Sequence, residues 1–389
     1  MPRMPYRYAI LGAGRQGACA AWGLAKYGDA ESVTLADMDE SIAAAAAKRV
    51  NGLLNREAVR AARLDASDPV TTRTLLKGHH AALSCVPYFL NEDIARAAVD
   101  ARVHFCDLGG NTEVVERELE LHPEASKRGL SLIPDCGLAP GLGNSLAALA
   151  VEQFDADISV HVRCGGLPVN PKPPLSYMLV FSIHGLINEY TGEAEYLRGG
   201  KIIRVPTISE FEPIEMGPPL GTLQCAVTSG GTSTAPKSFL GRVKDYDYKT
   251  IRYPGHWDRV KTLLELGFLD NVPVSVGPNS IRPRDLTAAC LIPRLTFKGD
   301  RDLVILRVWA DGRKAGAAKR VQYDVLDYGD DITGFTAMER TTAYPAALVA
   351  HMMAAGETMR GAIPLEIAVP ARPHVERLKS WGIGIAERS

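Results

Sequence analysis

The sequence predicts an α/β protein: a Rossmann-type doubly wound parallel sheet joined to a second α+β domain with a mainly antiparallel sheet. Three observations carry this expectation. Short apolar β-type runs alternate with alanine-rich helical stretches over residues 1–142, the rhythm of parallel βαβ units. A glycine-rich turn, Gly12-Ala13-Gly14-Arg15-Gln16-Gly17, follows the first such run and opens the first helical stretch. Beyond Phe154 the chain becomes Gly/Pro-rich, with strands that alternate apolar and polar residues, as sheets with one buried face do.

Taken in order, Arg7 to Leu11 reads as a strand, Gln16 to Tyr27 as a helix, Ser32 to Ala36 as a strand and Glu40 to Val50 as a helix. Strands follow near Arg60 to Leu64 and at Ala81 to Cys85, then a helix at Asn91 to Ala101, then strands at His104 to Cys106 and Leu130 to Ile133. Six strands fit a doubly wound sheet. A helix at Gly143 to Phe154 opens behind the loop Cys136-Gly137-Leu138-Ala139-Pro140-Gly141. In the second domain the strands are Ile158 to Cys164, Lys201 to Val205, Leu223 to Thr228, Tyr246 to Tyr253, Val304 to Trp309 and Lys319 to Leu326. From Thr342 the tail turns helical around Ala346 to Met353, and Trp381 near its end points to docking on the body of the protein. The expected division is residues 1–142 as the first domain, completed by 340–389, with 143–339 as the second.

Composition narrows the function. Charged residues make up 23% of 389 and nearly cancel, leaving a formal net charge of -1, so no global field favours nucleic acid or an anionic membrane. No apolar signal core or membrane span is read, and the expected location is cytoplasmic. Seven scattered cysteines, with no Cys-x-x-Cys pair and no histidine at zinc spacing, read as free thiols and no metal site.

The glycine turn gains its meaning from its place between strand and helix. There Gly12 makes the tight turn, Gly14 lets backbone approach a pyrophosphate and Gly17 permits close helix packing, with the helix N-terminus supplying the anion site. Arg15 and Gln16 lie within that turn. Asp37, about twenty residues on, is placed to accept hydrogen bonds from the adenosine ribose hydroxyls. With Met38 and Asp39 beside it, a 2′-phosphate would meet negative charge, so NAD is expected over NADP, although Arg15 can compensate. Asp65 either contacts adenine or caps the turn after the third strand.

Ligands of open α/β sheets sit beyond the carboxyl ends of the strands. Here those ends read Val86-Pro87-Tyr88, Asp107-Leu108-Gly109-Gly110-Asn111 and Pro134-Asp135-Cys136. Asp107 and Asp135 are candidate general bases, or turn and cap residues, and Gly109 lets backbone approach the cofactor. In the second domain, strand alternation puts Thr250 and Arg252 on one face, where Arg252 suits a carboxylate bidentately or a surface ion pair. Thr228 to Thr234, including Thr232, reads as a polar substrate-facing turn; it lacks the lysine of a phosphate loop.

Together these segments resemble the saccharopine dehydrogenase family, and within it the L-lysine 6-dehydrogenase branch. The broad resemblance rests on the N-terminal glycine turn, Asp107-Leu108-Gly109-Gly110 and Gly137-Leu138-Ala139-Pro140-Gly141. The branch resemblance rests on Gly165-Gly166-Leu167-Pro168, Pro173-Pro174-Leu175 with Tyr177, Thr228 to Thr234, Tyr248 to His256 and Arg282-Pro283-Arg284-Asp285. The chain departs from the pattern at Cys136, where an aliphatic residue is expected, and at Met178-Leu179, where a more polar pair is. The resemblance implies NAD-dependent oxidative deamination of the ε-amine of L-lysine, or a related amino acid, with release of ammonia. It implies too that the second domain carries the substrate pocket and an oligomer interface, giving a homodimer or homotetramer. In that frame the base is Asp107 or Asp135, with His256 third, and Tyr177, Thr232, Arg252, Tyr253 and His256 contact substrate. A same-fold alternative is a saccharopine or carboxynorspermidine oxidoreductase; an alternative of another class is a non-catalytic NAD-binding regulator.

Overall fold

The computed structural model describes residues 5–297 and 299–388. The chain opens with β1 (Tyr6–Leu11), α1 (Arg15–Tyr27), β2 (Ala30–Asp37), α2 (Glu40–Leu54), β3 (Val59–Arg63) and α3 (Pro69–Leu76). It continues through β4 (Ala81–Ser84), α4 (Asn91–Ala101), β5 (His104–Asp107), α5 (Thr112–Leu119), α6 (His122–Lys127) and β6 (Ser131–Ile133). All six strands pair in parallel, in the order β6-β5-β4-β1-β2-β3. The centre is apolar on both faces, Tyr8 to Leu11 being fully buried, as a parallel strand covered by helices on both sides must be. Asp37, Asp107 and the loop after Ile133 therefore emerge along one edge of this sheet.

α7 (Leu142–Val151) leads into β7 (Ala156–Pro168), α8 (Ile183–Glu189), β8 (Glu193–Arg198), β9 (Lys201–Pro206), β10 (Glu212–Glu215), β11 (Thr222–Ala226), α9 (Ala235–Ser238) and β12 (Val243–Arg252). Next come α10 (His256–Glu265), the hairpin β13 (Val274–Val276) and β14 (Asn279–Ile281), α11 (Pro283–Leu295), β15 (Asp302–Lys314) and β16 (Ala317–Asp327). The second sheet runs β10-β11-β12-β7-β15-β16, with β8 and β9 branching from β12. Its pairs are antiparallel except β7 with β12. Helices α8, α10 and α11 were not expected, because each is short or interrupted by proline and glycine; α8 and α11 pack against each other.

The tail belongs to both sheets. α12 (Ala337–Ala354) packs against α1, β4 and β5 on one side and β15 on the other. It opens with a capping box in which Thr336 accepts from the Glu339 amide and Glu339 from that of Thr336. β17 (Gly361–Ala362) then adds a seventh parallel strand beside β6; two residues are too few to show a period in sequence. After α13 (Leu365–Ala368) and α14 (Ala371–Ser380), β18 (Ile385–Arg388) pairs antiparallel with β16 in the other sheet. Trp381 is buried, stacked on Tyr27 with ring centroids 5.2 Å apart. Among the described residues no helix is long and apolar enough to cross a membrane, and no cluster of His, Cys, Asp and Glu could hold a metal.

Candidate active site

The glycine turn is shaped around close backbone approach. A Cβ on Gly17 would overlap the carbonyl oxygen of Gly12, whereas one on Gly14 would meet nothing within 4 Å. Gly14 is thus the open face of the turn. As the N-cap of α1 it brings no side chain to the first-turn amides, which are left to an incoming anion. Asp37 is held at the end of β2 by two amides, Oδ2 accepting from Ala13 at 2.8 Å and Oδ1 from Asp39 at 3.1 Å. Beside it lies an open depression of about 550 Å³ lined by Asp37, Met38, Asp39, Glu40 and Arg63. Ser41 donates to Asp39 and holds that carboxyl below its usual range. A turn with this open face, an uncapped helix N-terminus and a carboxylate at the next strand end is the shape and chemistry a dinucleotide needs.

Of the other residues read as cofactor contacts, Val86 borders Gly12, with Pro87 next to it at the start of the Tyr88–Leu90 turn. Gln16 donates to the Met338 carbonyl at 3.4 Å and keeps its buried Oε1 without a donor among the described residues. Arg15 turns away from the depression to pair with Glu339 at 2.5 Å. Asp65 accepts from the amide and hydroxyl of Ser67, which is the turn-capping alternative.

Asp107 and Asp135 are brought together. Oδ1 of Asp107 accepts from the amides of Gly109 (2.6 Å) and Asp135 (3.1 Å), while its buried Oδ2 has no partner among the described residues. Burial raises this carboxyl to about 6. Asp135, at φ 62°, accepts through Oδ2 from the Ser233 hydroxyl. Burial first, then the charge of Asp107, pushes it well above the carboxylate range. Its Oδ1 lies against Gly109, where a Cβ would collide with it. A third acid completes the cluster: Glu118 of α5 is buried, with neither oxygen hydrogen-bonded to a described donor, and burial and Asp107 raise it strongly. Glu118 was missed because it lies inside an amphipathic helix, where a glutamate ordinarily faces water.

On the second domain Arg252 is 2% exposed. It donates to the Ile251 carbonyl at 3.0 Å and Tyr190 OH at 3.4 Å, pairs with Glu189 at 3.5 Å and lies over the Tyr177 ring at 4.7 Å. His256 is fully buried: Nε2 faces Tyr190 OH at 3.0 Å and Nδ1 the Leu175 carbonyl at 2.8 Å. Desolvation, followed by the charge of Arg252, holds the ring down to about 3, so it is neutral, donates from Nδ1 and accepts from Tyr190. Both nitrogens are engaged and the imidazole anchors Tyr190 and Arg252. Tyr253 points to the opposite face of the sheet, donating to the Pro168 carbonyl at 3.0 Å among Leu167, Leu223 and Leu303. Thr232 is buried in the loop after β11, its carbonyl accepting from Ala235. That loop spans the cleft, reaching Asn188 through Ser229 and Asp135 through Ser233.

Two matches decide the family. The profile for the saccharopine dehydrogenase NADP binding domain covers residues 8–133, and that for the saccharopine dehydrogenase C-terminal domain covers 137–383. The chain belongs to the saccharopine dehydrogenase family. Among its relatives are rat mitochondrial alpha-aminoadipic semialdehyde synthase, 24% identical over 80% of this chain, and the NADP(+), L-glutamate-forming saccharopine dehydrogenase of Saccharomyces cerevisiae, 21% identical over 84% of this chain and 87% of the yeast one. The chain spans 41% of the length of the rat protein. The apo form of the yeast L-Glu-forming saccharopine dehydrogenase superposes with a TM-score of 0.78 over 98% of this chain and 99% of that one. The two-domain fold of this saccharopine dehydrogenase family member is therefore shared along its length, with Asp107 and Glu118 inside the first profile and Asp135 in the short gap between the two.

Proposed function

We propose that this protein oxidises a carbon–nitrogen bond of an amino acid with a nicotinamide dinucleotide, and specifically the ε-amine of L-lysine or a close analogue, releasing ammonia. The observation that carries the reading is the buried carboxyl of Asp107 at the carboxyl end of β5, whose Oδ2 meets no amide or hydroxyl donor among the described residues, beside Asp135 and Glu118 and on the same sheet edge as the Gly14 turn. A lysine ammonium has pKa ~10.4 and no lone pair, so a base must take its proton before the adjacent carbon gives up hydride. An acid near 6 is ionised at neutral pH and accepts that proton at Oδ2. When bound, the oxidised dinucleotide accepts the hydride. Asp135, held by Ser233, handles the proton of the water that adds to the resulting imine, and C–N cleavage releases ammonia and the aldehyde. Burial of these acids keeps bulk water from exchanging their protons freely.

NAD is the proposed dinucleotide. Asp37, Asp39 and Glu40 line the depression where a 2′-phosphate would sit, and like charges there oppose it. Arg63 in the same depression supports the competing choice of NADP, as does the match of the first domain to an NADP binding domain profile. The yeast relative, an L-glutamate-forming saccharopine dehydrogenase, supports a secondary-amine substrate as the alternative. One assay separates them: reduction of NAD and of NADP followed at 340 nm with L-lysine and with saccharopine. Reduction with L-lysine and NAD is expected; reduction with saccharopine alone would overturn the lysine reading.

A further inference from the structure

We infer that Glu189 and Arg284 recognise the α-amino-acid head of the substrate, Glu189 taking its ammonium group and Arg284 its carboxylate. The inference rests on the amine-oxidation reading and deepens it.

Asn188 and Glu189 are consecutive at the end of α8. Oδ1 of Asn188 accepts from Arg284 of α11 at 2.7 Å, and its Nδ2 donates to Tyr88 OH of the first domain at 3.5 Å. Arg284 is thereby held against Asn188, the residue before Glu189, where α8 meets Tyr88 of the first domain. Its guanidinium is partly buried, and among the described residues it has that single bond and no carboxylate partner. Arg282, two residues earlier, is exposed and pairs with Asp285 at 3.4 Å. A partly desolvated guanidinium without a counter-ion is unfavourable unless an anion arrives, and its planar fork matches a carboxylate.

Glu189 is the complementary case. Its side chain keeps 29% of its surface, and its one described side-chain partner is Arg252, at a long 3.5 Å through Oε2. Oε1 is left to accept. Arg252 cannot swing away, being clamped by Tyr190, Tyr177 and the Ile251 carbonyl, and it has almost no surface to offer a ligand. Its part is to hold Glu189 in place. The end of α8 thus carries an acceptor, Glu189, and through Asn188 holds a fork-shaped cation, Arg284, the two chemistries that complement a zwitterionic amino acid. Asp107 at the end of β5 and Asp135 in the loop after β6 belong to the first domain, and in this inference the distal amine reaches toward them.

The test uses the full chain and three amines that differ at the head: L-lysine, 6-aminohexanoate without the α-ammonium, and 1,5-diaminopentane without the carboxylate. Calorimetric binding to the protein with reduced dinucleotide, and kcat/KM with the oxidised form, are measured at pH 8. Wild type should prefer L-lysine to both analogues. Glu189→Gln should cut the preference over 6-aminohexanoate about 10- to 100-fold, and Arg284→Gln the preference over 1,5-diaminopentane by as much, the range for a lost charge-assisted bond. Glu189→Asp and Arg284→Lys serve where the amide variants fail to fold, and should recover part of each ratio. Lysine oxidation with both ratios unchanged in folded variants overturns the inference and leaves the reaction reading standing. Head-dependent binding lost in the variants, with no turnover in wild type, supports the inference and sinks the reaction reading. Wild type binding all three equally overturns the inference.

Discussion

Ser233 donates its hydroxyl proton to Oδ2 of Asp135, joining the loop after β11 to the loop after β6 across the two domains. That bond lowers the pKa of an acid that burial otherwise raises. Ser233→Ala should therefore raise the acidic limb of the kcat/KM profile. It should also cost about 1–3 kcal/mol of stability, because a buried acceptor loses its donor. A pH–rate profile and a denaturant melt read the two effects, and an unmoved acidic limb removes Asp135 from the mechanism.

Asp107 sets a second expectation. With its carboxyl raised to about 6 by burial, the base is lost as pH falls through that value, so kcat/KM should decline below pH ~6. Asp107→Asn should reduce turnover about 10²- to 10⁴-fold, the usual share of general acid–base catalysis, while dinucleotide affinity measured by fluorescence stays near that of wild type. Retained turnover would exclude Asp107 as the base.

In the proposed function the cofactor choice rests on the ends of β2 and β3. Asp37→Ala should weaken NAD binding about tenfold and narrow the NAD/NADP ratio, since two amides and the ribose lose one acceptor. Arg63→Ala should weaken NADP and leave NAD nearly unchanged. Dissociation constants for both dinucleotides test this; equal losses for both in Asp37→Ala would rule out discrimination there.

His256 makes stability pH-dependent. Its folded value, about 3, lies below the unfolded ~6.5, so the unfolded chain binds the proton first. Stability is full above ~6.5 and declines as pH falls toward 3. His374, lowered to about 4 by burial, adds in the same direction. Thermal midpoints should fall from pH 7 to pH 4, and His256→Gln should flatten part of that slope.

Trp381 is the tail's anchor. Stacked on Tyr27 and set edge-on to Tyr344 at 6.3 Å, it should cost about 3–5 kcal/mol when replaced by alanine, seen as a lower urea midpoint.

Much of the first domain was legible because strands and helices there follow one after another with strong periods: Asn91 to Ala101 is helical as read, and the strand ends deliver Asp37, Asp107 and Asp135 to one edge. The second domain was legible in its long strands but not in its site. Glu189, Tyr190 and Glu118 sit at positions whose sequence surroundings are those of ordinary amphipathic helices. Only the fold turns two of them toward Arg252, from the end of α8, and sets Glu118, on α5, against Asp107. Tyr253 and Arg252 adjoin in sequence and face opposite ways, as strand alternation demands. Only the fold shows which face is the cleft.

The path of the tail has a consequence for synthesis. β17 edges one sheet and β18, some twenty residues later, edges the other. As the chain leaves the ribosome, β1 to β6 and β7 to β16 emerge in full while each array still lacks a border strand, and α12, wedged between them, arrives only after both. Neither half can reach its final form ahead of its neighbour; both are finished by residues 337–388. Nascent protein therefore passes its most aggregation-exposed interval with two open margins at once.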